Sequence, residues 1–270
     1  MESKRFHTGD LVGADIGSYG EIYGIIINDD VFHDSVGQGY YVKVRWTDGK
    51  LTTSNTLGMV KVGENKMKRE EIIGAVVDGV NDLYEERIRE ANSFCNNNNV
   101  GGKMRNFTGN LVQDIAKFVW EKLGELNNLQ RCLAMKGEKD KKRLYSKNGY
   151  EDKQVDRHCY LDKNIKLLQE CKAYLDVCYM GRASNDMRLL RKAFQKRQLP
   201  TMVVAIEDCI KKESLNFIMD DGHVDRVFFL ADGKRNAKKP IWKPQFYKPL
   251  NRKKVEEYVT LLYNVQVQEN

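Results

Sequence analysis

Asp156, Glu170 and Lys172 are the residues whose types and spacing could do chemistry together. Glu170 and Lys172 lie in LLQECKAYLD, Leu167–Asp176, a run with the apolar density of a buried strand. Lys and Glu are almost never fully buried unless paired, because an uncompensated charge in low dielectric is costly or neutralises. On a strand these two share one face, and Leu167, Cys171 and Ala173 take the other. A turn at Asp162-Lys163-Asn164 folds the preceding run back, and a hairpin centred on Lys163 sets Asp156 opposite Glu170. A slip of two residues keeps the same face. Two adjacent carboxylates repel unless a cation sits between them, and Mg²⁺ takes hard oxygen ligands from one or two carboxylates while keeping several waters. The metal would acidify a water and polarise a phosphate. Lys172 would hold or help deprotonate that water and offset charge on the phosphate. This is the chemistry of phosphodiester hydrolysis.

The elements that must position these groups follow from periodicity. Residues 8–62 alternate apolar and polar at period two in four short runs. With Asp48-Gly49 as a hairpin turn, they predict a small β-barrel. Gly13, Gly17 and Gly20 lack a Walker lysine and a following helix, so they read as turns. After a linker at 63–69, helical spacing predicts one helix from Arg69 to about Phe94, a break at Asn96–Gly102, and a second helix from about Thr108 to Leu126. Residues 127–153 read as charged loop with a short helix. Strands are expected at 154–161, 165–174, in TMVVAIEDCI and in HVDRVFFLAD. A helix is expected over about Asn185–Gln198, and a last helix or strand over Glu256–Val265. The continuous apolar character of TMVVAIEDCI marks a strand buried on both faces.

Asp156 followed by Glu170-Cys171-Lys172 on an apolar strand resembles the PD-(D/E)xK nucleases, specifically the type II restriction endonucleases, over about residues 105–232. The resemblance implies an α/β (α+β) restriction-endonuclease-like core with a central mixed sheet flanked by helices. It implies Mg²⁺-dependent, site-specific cleavage of double-stranded DNA to 5′-phosphate and 3′-hydroxyl ends. Asp156 and Glu170 become metal ligands, the Cys171 carbonyl a possible third, and Lys172 the catalytic lysine. A helix acid often completes such a site; Asp114, Glu121 and, at the end of a strand, Glu207 are the candidates, with Gln113 a further possibility. No proline precedes Asp156; Val155 stands there. The N-terminal residues, by their GDLV opening, GIIIN strand and VRWTDG hairpin, resemble SH3-like barrels of the KOW or Tudor type, which implies nucleic-acid or peptide binding. The expected organisation is 1–65 as a barrel for DNA binding or recognition and 66–270 as the nuclease domain.

Charge and composition bound the alternatives. The 270 residues carry a net charge of +7, which permits a polyanionic partner, and 41% apolar with 31% charged residues suits a soluble globular chain. Residues 234–254 hold nine Lys or Arg and no acid, interleaved with Trp242, Phe246 and Tyr247. Lys234, Arg235, Lys238, Lys239, Trp242 and Lys243, with Arg188, Arg191 and Lys192 on the expected helix, are the candidate DNA contacts. Cutting both strands of a palindrome predicts a homodimer, and a restriction enzyme implies pairing with a DNA methyltransferase. Six cysteines without a CxxC pair and only four histidines argue for free thiols and against structural zinc. The charged N-terminus without an apolar h-region, and the lack of an apolar run of about 18 residues, predict a cytoplasmic protein with no membrane segment. The same tripeptide spacing recurs at Glu2/Lys4, Glu64/Lys66, Asp140/Lys142, Glu151/Lys153 and Asp232/Lys234, the last with Asp225 upstream. Only Asp232/Lys234 adjoins an apolar strand, and Gly233 there reads as a turn. The alternatives are a repair or resolvase nuclease on the same core and a non-catalytic nucleic-acid-binding protein whose hairpin carries a solvated ion pair.

Overall fold

The computed structural model describes residues 67–97, 101–129, 131–146, 149–236 and 238–267, together with five strands nearer the N-terminus. The chain divides into two compact units, Met1–Lys66 and Met67–Asn270.

In the first unit β1 (Leu11–Asp15), β2 (Glu21–His33), β3 (Tyr40–Trp46), β4 (Leu51–Asn55) and β5 (Met59–Lys61) form an antiparallel sheet in the order β4-β3-β2-β1-β5. Gly13, expected in a turn, lies within β1 opposite Tyr23 and Val60. The Asp48-Gly49 turn, Gly17, Gly20 and the loops that would close a barrel lie outside the described residues.

The second unit is a mixed five-stranded sheet with helices on both faces. Its order is β12-β11-β10-β9-β6, from β6 (Cys132–Lys136), β9 (Arg157–Leu161), β10 (Asn164–Leu175), β11 (Thr201–Asp208) and β12 (Arg226–Phe229). β10, β11 and β12 run parallel, and β9 is antiparallel to both of its neighbours. This architecture is compatible with a restriction-endonuclease-like core. A separate hairpin, β7 (Lys142–Ser146) with β8 (Gly149–Lys153), connects β6 to β9.

β11 shows why the sheet is covered twice. Met202, Val204 and Ile206 enter one core with α1 (Arg69–Asn97), α2 (Gly101–Leu126) and α5 (Arg252–Val267). Val203 and Ala205 enter the other, with α3 (Val177–Ala193) and residues of α4 (Lys212–Asp220) packed against it. A strand buried on both faces must be apolar without alternation, as its sequence is.

Several boundaries depart from the sequence expectation. α2 begins at Gly101, within the expected break. Residues 127–153, expected to be loop with a short helix, hold a single 3-10 turn at Gly137–Lys139 and also supply β6, β7 and β8. α3 begins at Val177, not Asn185, because Asp176 caps it by accepting the Tyr179 amide at 2.8 Å. The chain after β11 also forms α4, for which the sequence reading had no element. The last element is a helix.

One buried polar contact ties the sheet to α5. The Tyr258 hydroxyl donates to Gln169 Oε1 at 2.6 Å, and Gln169 Nε2 donates to the Cys159 sulfur at 3.1 Å. Gln169 and Tyr258 have no solvent exposure. Tyr258→Phe leaves the Gln169 carbonyl oxygen without this donor, so urea denaturation should show a loss of about 1–3 kcal/mol in unfolding free energy.

Candidate active site

β9 is shorter than its neighbour. It pairs with β10 only as far as Arg157 opposite Gln169, while β10 continues to Leu175. Leu167 stands opposite Cys159, Leu168 opposite His158 and Gln169 opposite Arg157, the register expected of a hairpin centred on Lys163. A bulge between Ile165 and Leu167 brings the strands into that register. Beyond Gln169, β10 has lost its partner on this side, and the groups of the next outward-pointing residue, Cys171, need substitutes.

Asp156 is the substitute. Its Oδ2 accepts the Cys171 amide at 2.8 Å. The same oxygen lies 3.0 Å from Lys172 Nζ, and Oδ1 accepts from Gln113 Nε2 of α2 at 2.9 Å. Glu170 Oε2 accepts the Asp156 amide at 3.1 Å, and Oε1 is 2.5 Å from Lys172 Nζ. The carbonyl and amide of one strand residue point to the same side, so the Cys171 carbonyl projects from this same free edge. The three predicted residues are therefore brought together, with one ammonium shared by two carboxylates. They are not a solvated surface pair: the side chains of Glu170 and Lys172 keep 12% and 21% of their exposure.

The shared lysine does not neutralise the site. Burial, then the neighbouring Asp156 charge, pushes the Glu170 carboxyl up to about 7 against the opposing pull of Lys172. Burial works against the Lys172 ammonium, but Glu170 and Asp156 outweigh it and hold its pKa above the usual lysine value. Lys172 is thus cationic at neutral pH. Two hard carboxylates with a surplus of negative charge and an adjacent main-chain carbonyl suit Mg²⁺, which needs few protein ligands when water and phosphate oxygens complete its shell. Among the described residues no group of three or more His, Cys, Asp and Glu side chains gathers for a metal.

Asp156, Cys171 and Lys172 line a cleft of about 420 Å³, with Glu170 behind them on Lys172. Asn110 and Gln113 of α2, Tyr179 of α3, Glu207 of β11, Arg235 and Trp242 line it with Asp156 and Lys172. The Arg235 guanidinium lies 3.4 Å from the centroid of the Tyr174 ring. Glu207 is buried and bound to Lys248 Nζ at 2.6 Å.

The helix acids go elsewhere. Asp114 is 3.3 Å from Arg87 and 3.7 Å from Arg157, and Glu121 accepts the Ala134 amide of β6 at 3.3 Å and pairs with Lys117. Neither lines the cleft; Gln113, one residue from Asp114, does. Arg191 donates to the carbonyls of Leu199 and Gly222 and to Asp225, joining α3 to the starts of β11 and β12. It follows Tyr179 by twelve residues on α3, about 18 Å along the axis from the cleft. Arg188 and exposed Lys192 share that remote end. Lys234 is bound to Asp208 and the Ile210 carbonyl, while Lys238, Lys239 and Lys243 are exposed. In the rival motif Asp232 pairs with Lys254 and Asn251, Asp225 with Arg191, and Gly233 takes φ +72°, so those three groups do not converge.

The turn that carries Asp156 has supports the sequence did not announce. His158, expected on the outer face of its strand, is fully buried. Its Nε2 accepts the Val155 amide at 3.3 Å, and its Nδ1 lies 3.0 Å from Asp140, which also accepts the Tyr160 hydroxyl at 2.6 Å and pairs with Lys142. Burial lowers the His158 pKa despite Asp140, which fits a neutral ring donating from Nδ1. Gly137 donates its amide to the Asp156 carbonyl at 3.2 Å, and a Cβ at Gly137 would fall on the Val155 carbonyl oxygen. The glycine at the end of β6 was the available signal for such a close approach.

No protein-family model matches the chain. Over 114 residues it is 31% identical to the type II restriction enzyme DdeI of Desulfomicrobium norvegicum. The aligned part is 38% of this chain and 48% of that enzyme, so the chain spans about half the length of the curated relative it matches. Among the described residues no helix is long and apolar enough to cross a membrane.

Two outcomes follow from the geometry. Gly137→Ala must displace Val155 and Asp156, so it should lower both the melting temperature and any metal-dependent activity, whereas Gly74→Ala in α1, where the added Cβ meets nothing, should spare both. Glu170 binds its proton more tightly in the folded chain than in the unfolded one, whose pKa is about 4.3. Stability should therefore fall as pH rises from about 4 to about 7 and remain lower above that range. In EDTA, Glu170→Gln should raise the melting temperature relative to wild type at pH 8 by several degrees and give little gain at pH 4.

Proposed function

We propose that this protein is a Mg²⁺-dependent, site-specific endonuclease of double-stranded DNA that acts as a homodimer beside a cognate methyltransferase. The observation that carries the reading is the Asp156–Lys172–Glu170 cluster at the free edge of β10, open to a cleft with Arg235 and Trp242 on its walls. The partial similarity to a type II restriction enzyme supports the same reading. Residues 1–65 would add DNA contacts or recognition.

The chain's own groups have defined work in this reaction. Asp156 and Glu170, with the Cys171 carbonyl, would hold Mg²⁺. The bound ion would supply Lewis acidity to a phosphate oxygen and lower the pKa of a bound water. Lys172, beside both carboxylates, would hold the attacking water or help deprotonate it and offset charge on the phosphate. The water oxygen bonds to phosphorus as the bond to the 3′ oxygen breaks. The attacking water gives its proton to solvent or to Lys172 where that amine is neutral, and the leaving 3′ oxygen takes a proton from a solvent water, which leaves a 5′-phosphate and a 3′-hydroxyl. Gln113 holds Asp156 Oδ1 from the α2 side, and Arg235 presents a cation at the cleft wall for a backbone phosphate.

Plasmid and phage DNA should give discrete fragments with Mg²⁺ and none with EDTA. Lys172→Ala should lower the rate at least 100-fold, as expected when a preorganised charge at a reacting phosphate is removed. Cutting without sequence preference would point to another nuclease on this core. Salt-sensitive binding without cleavage in any divalent metal would make the protein a binding module.

A further inference from the structure

We infer that the β7–β8 hairpin is a second DNA-contacting surface, which grips the duplex beside the phosphate to be cut. This rests on the endonuclease reading above.

The hairpin has two unlike faces. One carries Lys142, Leu144, Glu151 and Lys153, half-buried toward α3, with Lys153 3.9 Å from Asp186 and Lys142 5.1 Å from the centroid of the Phe194 ring. The other carries the cross-strand pairs Arg143/Asp152 and Tyr145/Tyr150, all exposed. Tyr145 and Tyr150 keep 79% and 67% of their exposure, the highest among the large apolar or aromatic side chains described apart from Phe217. Among the described residues the two tyrosines pack on each other and on Arg143 and are otherwise exposed. Their rings hold each other edge to face, with centroids 5.5 Å apart, and the Arg143 guanidinium lies 4.8 Å from the Tyr150 centroid. The surface is thus arranged before any partner arrives, which reduces the side-chain entropy lost on binding.

Charge selects the partner. Lys136 at the end of β6, and Lys139 and Lys141 on the connection leading into β7, are exposed alongside Arg143. The acids nearby are exposed Glu138 and Asp152, with Glu151 bound to Lys153 and Asp140 to Lys142. Exposed cations outnumber exposed acids. Cations joined to stacking rings suit a polyanion that offers flat faces and sugars, and nucleic acid has that chemistry.

The chain also fixes where the contact falls. β8 ends at Lys153, and only Gln154 and Val155 separate it from Asp156. Tyr150 is six residues from Asp156, so at about 3.3 Å per residue it lies within about 20 Å of it. Base pairs rise about 3.4 Å each. The hairpin therefore meets DNA within about six base pairs of the scissile phosphate.

The test uses the full chain with Arg143→Ala, Tyr145→Ala and Tyr150→Ala combined. All three side chains are exposed, and an unchanged melting temperature checks the fold. Fluorescence anisotropy with labelled plasmid fragments, in the Lys172→Ala background, should show at least a tenfold rise in Kd. Arg143→Ala alone should lower the slope of log Kd against log salt by about one. In the Lys172-containing enzyme, half-saturating DNA should rise while the rate at saturation stays within twofold. A Kd within twofold of the parent overturns the inference even if cleavage is confirmed. A dimer that falls to monomers with its DNA affinity retained also overturns it, because the face then belongs to a second copy of the chain. Loss of binding by the triple variant in a protein that never cleaves supports the hairpin while refuting the endonuclease reading. A wild type that binds no DNA overturns both.

Discussion

The ammonium of Lys172, shared by Asp156 and Glu170, is the interaction on which the centre depends. Without it two carboxylates would face each other on a largely buried strand edge. With it the cluster still carries surplus negative charge, and burial first, then the Asp156 charge, makes Glu170 hold its proton up to about 7. The fold keeps this poorly neutralised arrangement because each partner also performs a backbone task. Asp156 takes the Cys171 amide that a longer β9 would have taken, and Glu170 takes the Asp156 amide in return. Catalytic candidates and sheet ladder are thus built from the same hydrogen bonds.

Around that cluster the support is local and dense. Gly137 lies against the Val155–Asp156 peptide, and His158 anchors the Val155 amide through a buried contact to Asp140. α2 reaches the same point with Gln113, whose own carbonyl accepts from Arg157 at 3.0 Å. The surplus of charge is therefore held on rigid elements, as a site that must place reacting groups to within a fraction of an ångström requires.

Asp156, Glu170 and Lys172 were legible in the sequence because a turn fixes a hairpin register, and a register fixes which side chains meet. The doubly covered β11 was legible from its unbroken apolar run. β6, β7 and β8 were not, because they are short, charged and held by pairing to partners elsewhere in the chain. His158 alternates outward on paper, but the chain from Gly137 to Lys142 folds over it. Arg191 reads as a cationic helix face, yet its acceptors at Leu199, Gly222 and Asp225 are set only by tertiary structure. Asp114 and Gln113 are neighbours in sequence, and about 100° of helical rotation sends one to Arg87 and the other to the cleft.

The two walls of the cleft differ in conformational freedom. On one side β10 ends at Leu175, Asp176 caps α3, and Tyr179 follows at once. Only six residues separate it from Lys172, and β10 pairs with β11 as far as Leu175 opposite Asp208, so this wall is held to the sheet. On the other side Arg235 and Trp242 belong to a long connection between β12 and α5, tied down by the Lys248–Glu207 pair and by Asn251 on Asp232. If the cleft must widen to admit a helical polymer, the movement falls to this second wall. It would have to break more than these two ties, because Lys234 also binds Asp208 and the Ile210 carbonyl, the Arg235 amide donates to the Asp208 carbonyl and the Tyr84 hydroxyl donates to the Lys248 carbonyl, and together these bonds set how readily the entrance opens.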